Sequence, residues 1–147
     1  MALAASPALV RSMQRLASWV ALYKEVRELV HTGTTVRAPQ HDPSFAVHGV
    51  VAPDGSDALF ALVQLTTSET SVPGAVRLPG LDPDRRYRVR PQRPGDAPTA
   101  LRGLRPPAWL AEGVTLPGSV LEHGGVAAPA LFPEQLLLLR VEAVPAD

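Results

Sequence analysis

The sequence predicts a mainly β protein, in which one long N-terminal α-helix precedes a two-sheet β-sandwich. Residues 6–33 are the only stretch whose apolar residues have the spacing of a long helix. Beyond it the chain breaks into short apolar runs, and nearly all of the 16 prolines and 11 glycines lie among these runs as turn residues. About seven or eight short strands at this spacing are typical of a sandwich.

The helix has sequence signals at both ends. Ser6 is a good N-cap, Pro7 suits the first helical position, and Gly33 can take the left-handed conformation that ends a helix. Its apolar residues form two stripes that point in different directions. One stripe contains Leu9, Met13, Leu16, Val20 and Tyr23, and the other contains Trp19, Leu22, Val26, Leu29 and Val30. Because one stripe serves one neighbour, we expect the helix to lie between two bodies, only one of which follows in this chain.

The strands expected after the helix are apolar runs bounded by turn residues. They cover residues 34–37, 45–52, 58–65, 72–78, 86–90 and 136–144, with weaker candidates at 115–121 and 125–128. The run 58–65 is almost continuously apolar, which predicts a strand buried on both faces. Strict alternation over 86–90 predicts a half-exposed strand, and 91–107 is expected to be a long loop. The four consecutive leucines of the last run would suit a helix equally well on propensity.

Composition excludes several classes of function. The chain has no cysteine, so disulfides and cysteine-based zinc sites are impossible, and a reducing, cytoplasmic location is expected. The formal net charge is zero, which argues against a general nucleic-acid binder. The apolar residues 1–10 are followed by Arg11 and Arg15, which interrupt the run before it reaches the ~20 residues of a membrane span. We therefore expect no nucleic-acid partner and no membrane partner.

The carboxylates are explained by structural roles. Glu25 and Glu28 are interleaved on the helix with Lys24 and Arg27, which indicates a solvated, ion-paired face rather than a glycosidase pair. Aspartate is favoured in turns because it hydrogen-bonds the local backbone. The aspartates at such positions are Asp54, Asp57, Asp82 and Asp84.

No other group of residues has the spacing of a catalytic, cofactor or metal site. The histidines, which lack metal-ligand spacing, are His31, His41, His48 and His123. His31 falls in the last turn of the helix, where a cation suits the macrodipole. Ser119 lacks the flanking glycines of a nucleophile elbow, and no phosphate loop is present. We therefore expect no catalytic residue, no cofactor and no metal in this chain.

Two features remain as candidates for binding a partner. Residues 77–105 contain eight arginines against three aspartates, a local charge of 8 − 3 = +5. Arginine on the open face of an edge strand also prevents aggregation, and we favour that interpretation. Trp109 follows two prolines in the predicted loop. It is a candidate ligand contact, for example for a sugar ring, or equally a plug that pins the loop onto the sandwich.

The order of these pieces resembles the C-terminal region of bacterial α-galactosidases of glycoside hydrolase family 36. Residues 19–33 are similar to the last barrel helix of that family, with Tyr23, Lys24, Arg27, His31 and Gly33 at the matching spacing. Further similar segments are residues 48–51, 54–55, 58–61, 78–83, 87–89, 118–129, 133–134 and 136–139. The resemblance covers nearly the whole chain.

The resemblance implies a three-part enzyme with an N-terminal sandwich, a central (β/α)8 barrel and a C-terminal antiparallel Greek-key β-sandwich. It implies retaining hydrolysis of terminal, non-reducing α-galactosides by two aspartates of the barrel. No aspartate of this chain matches those catalytic positions. Residues 1–33 are then expected to be the terminal helix of a missing barrel, and residues 34–147 the C-terminal sandwich.

On this interpretation the chain is non-catalytic by itself, and its role is structural. The barrel of the parent enzyme is its expected partner, and a contact within a homo-oligomer is a further expectation. The alternative is a stand-alone module. Such a module would bind carbohydrate through Trp109 or an acidic protein through the arginines of residues 77–105.

Overall fold

The computed structural model describes residues 4–70, 73–94 and 105–146 of the chain. Within these ranges a long helix comes first, and eight strands and two short helices follow it. The elements are α1 (Pro7–Thr32), β1 (Thr34–Ala38), β2 (Phe45–Val51), β3 (Asp57–Gln64), β4 (Ala75–Val76), β5 (Arg86–Gln92), α2 (Trp109–Glu112), β6 (Val114–Pro117), α3 (Gly118–His123), β7 (Val126–Ala127) and β8 (Leu136–Ala143).

The strands form two antiparallel sheets. The larger sheet has six strands in the order β1-β2-β3-β8-β5-β6, and the smaller sheet pairs β4 with β7. The long-range pairs are nested, because β3 pairs with β8, β4 with β7, and β5 with β6. The protein is therefore mainly β with two antiparallel sheets, as the sequence predicted, and the nesting agrees with the Greek-key order that the family resemblance implied.

One core cluster fills the space between the two sheets. It contains Phe60 and Leu139 from the larger sheet and Val76 and Val126 from the smaller one, all nearly or fully inaccessible to solvent. Tyr87 is fully buried, and its hydroxyl donates to the carbonyl of Gly55 at 2.7 Å and accepts from the amide of Asp82 at 3.0 Å. One buried side chain thus connects β5 to two turns.

The ends of α1 agree with the sequence, but Gly33 is required for a different reason. The Ser6 hydroxyl accepts from the amide of Leu9, and Pro7 is the first helical residue. Gly33 has a φ of −75°, so it does not adopt the left-handed conformation that was expected. A Cβ on Gly33 would lie 2.5 Å from Cγ2 of Val50. Glycine is therefore needed because the chain passes so close to β2.

Several predicted strands differ from the structure. Residues 118–121 were expected to be extended, but only Val114–Pro117 is a strand and Gly118–His123 is helical. Strand β5 continues to Gln92, into the predicted loop 91–107, of which residues 95–104 lie outside the described residues; the short helix α2 follows the loop. Of the candidate strand at 72–78, residue 72 lies outside the described residues, and β4 covers only Ala75–Val76. Strand β3 is buried on one face and half-buried on the other, rather than buried on both.

The last run, by contrast, is the closing strand that was predicted. Leu137, Leu139 and Val141 point into the core, and β8 lies between β3 and β5. The propensity of the four leucines did not distinguish a helix from a strand. The structure shows a strand, because the segment pairs with a neighbouring strand on each side.

Candidate interaction surface

The first half of α1 extends away from the sandwich. Every described residue from 7 to 21 is exposed, a length of about 22 Å at 1.5 Å per residue. The stripe of Leu9, Met13, Leu16, Val20 and Tyr23 is exposed throughout, with Leu16 at 65% and Met13 at 61% of their full accessibility. We call these five residues the exposed stripe. Apolar side chains this large and this close together are unusual on a free surface.

The second half of α1 is anchored to the outer face of the larger sheet. Leu22, Val26 and Leu29 are buried, yet they do not belong to the core cluster. These three residues belong to the second predicted stripe. Trp19 and Val30, also assigned to that stripe, are exposed. The helix thus has one covered face and one uncovered face, as two apolar stripes predicted.

Arg140 joins the helix to the sheet through ion pairs. It alternates in β8 with Leu139 and Val141, so its side chain lies on the outer face, and it is only 6% exposed. Its Nε and Nη2 donate to the two carboxylate oxygens of Asp57 at 2.7 Å each, and its Nη1 lies 3.4 Å from Oε1 of Glu25. Burial opposes the charge of Arg140, but the hydrogen bonds and charge of Asp57, with the charges of Glu142 and Glu25, keep its pKa above the ordinary value.

This cluster corrects the expected role of Glu25. We predicted an ion-paired surface with Lys24 and Arg27, whereas the partner of Glu25 in the structure is Arg140 of the sheet. The sequence contained one signal for this cluster. Arg140 interrupts an otherwise apolar run, and a charge there must find a partner once the strand is buried.

Two of the predicted turn aspartates, Asp54 and Asp82, have the local roles expected of turn residues. Asp54 accepts from the amide of Ser56 at 2.9 Å and from its hydroxyl at 2.6 Å, and these bonds hold the pKa of the Asp54 carboxyl below its usual range. Asp82 accepts from the amide of Asp84 at 3.0 Å. Asp57 is instead the first residue of β3 and is engaged by Arg140. Each of these three side chains is thus occupied by a structural contact.

Trp109 connects α2 to the smaller sheet. It is the first residue of α2 and is partly buried against the core cluster. Its indole Nε1 donates to the carbonyl of Ala127 in β7 at 2.9 Å. This geometry is that of the plug, the structural alternative considered for Trp109.

The arginines of β5, which are Arg86, Arg88 and Arg90, do not lie on an edge strand. Strand β5 lies between β8 and β6, so the edge-strand explanation was wrong. Several arginines of residues 77–105 instead join neighbouring elements. Arg85 donates to the carbonyl of Asp54 at 2.9 Å, Arg88 donates to that of Glu112, and Arg90 pairs with Glu142 at 2.7 Å. Arg102 lies outside the described residues.

The histidines are dispersed. His31 is in the last turn of α1 as predicted, with its Nε2 3.1 Å from the Tyr23 hydroxyl. Among the residues that the structure describes, no three His, Cys, Asp or Glu side chains are grouped so that they could hold a metal ion. In the same part of the chain, no helix has both the length and the apolar character needed to cross a membrane.

A comparison with known proteins matches this chain to a family of glycoside hydrolases. Residues 45–135 match the model of the glycosyl hydrolase family 36 C-terminal domain. An α-galactosidase of Escherichia coli is 40% identical over 127 residues, which are 82% of this chain and 18% of the relative. The chain thus spans less than a fifth of the length of that relative.

Solved structures of α-galactosidases also superpose on this chain. A family 36 α-galactosidase variant of Geobacillus stearothermophilus, solved in complex with raffinose, superposes with a TM-score of 0.62 at 29% identity, over 85% of this chain and 15% of that one. An α-galactosidase of Lactobacillus brevis superposes with a TM-score of 0.72 over 97% of this chain and 18% of that one, at 20% identity. The second likeness is one of fold.

Proposed function

The chain belongs to glycoside hydrolase family 36, whose C-terminal domain it contains, and on that premise we propose that it is a structural, non-catalytic part of a retaining α-galactosidase. In this role residues 1–33 are the last helix of a catalytic (β/α)8 barrel, and residues 34–147 are the sandwich that packs beside it. The whole enzyme would remove terminal, non-reducing α-galactose. Its preferred location would be the cytoplasm.

The observation that carries this proposal is the division of α1 into a covered face and an uncovered face. Leu22, Val26 and Leu29 are covered by the sandwich, while the exposed stripe is covered by nothing in the described part of the chain. The family relatives are long chains, of which this domain is 15–18%. A barrel in the remaining part of such a chain would supply the second body that the exposed stripe requires.

The first experiment is to sequence the DNA immediately upstream of Met1 in the source genome. We expect an open reading frame that continues without a stop into a barrel with paired aspartates. A stop codon and ribosome-binding site directly ahead of Met1 would contradict the proposal. The family likeness would then report ancestry, and the stand-alone binding module would become the better explanation.

The second experiment tests the contact itself in the full-length enzyme. Met13→Glu places a charge in the middle of the exposed stripe. We expect this variant to melt several degrees lower and to lose activity, because a carboxylate buried against apolar residues has no partner. Ser18→Glu is the matched control, since Ser18 is exposed on the opposite side of the same helix. Equal effects of the two substitutions would show that the exposed stripe is not the docking face.

A further inference from the structure

A cleft of about 260 Å³ opens at the end of β3, and neither Trp109 nor any residue of α1 belongs to its described lining. Its apolar floor is formed by Phe45, Val76 and Leu131, and its polar wall includes Asp42, Gln64 and Ser68. These residues come from segments far apart in the sequence. No run of sequence could therefore have indicated the cleft.

Gln64 presents a hydrogen-bond acceptor to this cleft. Its side chain is only 4% exposed, and its amide nitrogen donates to the Ser44 hydroxyl at 3.0 Å, the Ser44 carbonyl at 3.2 Å and the Thr66 carbonyl at 2.8 Å. In the described part of the chain no donor reaches its Oε1. No polar side-chain atom there is both fully occluded and unpaired. Its Oε1 is therefore not fully occluded, and since Gln64 lines the cleft, we infer that this oxygen is accessible from the cleft.

Asp42 is a second acceptor at the same site. One carboxylate oxygen accepts from the amide of Ser44 at 2.9 Å and the other from the hydroxyl of Ser68 at 2.6 Å. Hydrogen bonds from Ser44 and Ser68 hold the pKa of the Asp42 carboxyl below its usual range, so it is ionised at neutral pH. Each carboxylate oxygen has about two acceptor positions, so each can accept one further donor from a ligand.

The lining selects the class of ligand. Its described residues combine the acceptors of Asp42 and Gln64 with side chains that can also donate, namely Gln40, His41, Ser68 and Thr70. With the Asp42 carboxylate present and no lysine or arginine among the described lining residues, an anion is disfavoured, and a molecule that both donates and accepts hydrogen bonds fits the wall. The volume is below the ~300 Å³ at which sites for larger ligands begin, which limits the ligand to one small ring. A neutral polyol has O–H donors for the wall and C–H groups for the floor.

We propose that this cleft binds one ring of a neutral polyhydroxylated molecule, a monosaccharide or a cyclitol. Hydroxyl groups of the ligand donate to Oε1 of Gln64 and to the Asp42 carboxylate, and its C–H groups contact Phe45, Val76 and Leu131. This binding does not depend on the role of α1. It uses a site different from Trp109.

The test is an NMR titration of the full chain with D-glucose, D-galactose and myo-inositol, and separately with butylammonium chloride. We expect saturable shift changes around the cleft with at least one of the three polyols. Asp42→Asn removes the charge at nearly constant shape and is expected to weaken binding at least tenfold. Asp54→Asn is the matched control, because Asp54 has the same kind of serine contacts in a turn outside the cleft.

Gly74→Trp tests the site without touching its polar groups. Gly74 lines the cleft, and a Cβ built there meets no atom within 4 Å, so the new side chain begins in open space. We expect this variant to lose polyol binding and Trp109→Ala to keep it. Three results would overturn the proposal: no saturable change with any polyol, undiminished binding by Gly74→Trp, or binding of butylammonium in place of the polyols.

Discussion

Arg140 is the residue on which the outer face of the sheet depends most. A nearly buried guanidinium is tolerated only when it is paired, and Asp57 satisfies it with two bonds of 2.7 Å. Glu25 contributes less, because its distance is 3.4 Å and its side chain is 56% exposed. The ion pair with Asp57 therefore joins β8 to β3 within the sheet, and the weaker contact with Glu25 helps to anchor α1 to it.

This difference can be measured by substitution. Asp57→Asn keeps the shape of the side chain but leaves Arg140 without its main counter-charge, and we expect it to lower the free energy of unfolding by about 3 kcal/mol. Glu25→Gln should cost less than about 1 kcal/mol, as exposed ion pairs do. Urea denaturation of both variants measures the two costs. Equal losses would mean that Glu25 and Asp57 hold Arg140 to the same extent.

Gly33 gives a second prediction at this scale. Its φ of −75° is allowed for any residue, and replacing glycine by alanine would by itself stabilise the fold by about 0.4–1 kcal/mol. The Cβ, however, would lie 2.5 Å from Val50 and 2.8 Å from the carbonyl oxygen of Val51, and overpacking of this kind costs about 1–3 kcal/mol. We expect Gly33→Ala to be destabilising in thermal unfolding.

Gly74→Ala is the control for that measurement. Gly74 has no atom within 4 Å of an added Cβ, so this substitution should leave the melting temperature nearly unchanged. If Gly33→Ala proved as harmless as Gly74→Ala, the close approach of α1 to β2 would not be the reason for glycine at residue 33.

At the scale of elements, the sequence predicted what depends on local chemistry. The start of α1 was visible in Ser6 and Pro7, and the turns at Asp54 and Asp82 were visible in the preference of aspartate for such positions. Gly118–His123 was missed, because its apolar residues suit a short helix and a strand equally well. The place of β5 inside the sheet was missed as well. Alternating arginines report an exposed face, but they do not report whether a strand has one neighbour or two.

The exposed stripe of α1 leads to a prediction about association. An isolated helix of about 15 residues is only marginally stable in water, and this one would also expose five large apolar side chains. In the absence of a barrel we expect the 147-residue chain to cover Leu9, Met13, Leu16 and Val20 by self-association. Light scattering over a range of concentrations would detect the dimer or larger assembly.

Leu16→Glu should shift that equilibrium toward the monomer, because Leu16 is the most exposed residue of the stripe. Ser18→Glu, on the opposite side of the helix, should leave it unchanged. A monodisperse monomer of the unsubstituted chain at all concentrations would contradict the prediction.

At the scale of the whole molecule, the class of fold was predictable and the pairing of strands was not. Alternation and turn residues identify strands one at a time, whereas the pairing of β3 with β8 joins residues about 80 positions apart. The candidate sites depend on that pairing. Asp57 meets Arg140 only after β3 and β8 are adjacent, and the cleft exists only once residues near 42, 64, 76 and 131 are brought together. Trp109 was a candidate from the sequence because it follows two prolines of the predicted loop, but its contact with Ala127 could be seen only in the fold.

The last prediction concerns catalysis by the chain alone. A retaining glycosidase needs two carboxyl groups roughly 5 Å apart, one of them free to attack the sugar. The aspartates that seemed most eligible are engaged, Asp54 by Ser56, Asp57 by Arg140, and Asp82 by the backbone of its own turn. We therefore expect the purified chain to release no nitrophenol from p-nitrophenyl α-D-galactoside above the buffer rate. The E. coli α-galactosidase serves as the positive control. Saturable turnover that follows the chain through purification and is lost with Asp57→Asn would show that an active site exists here without a barrel.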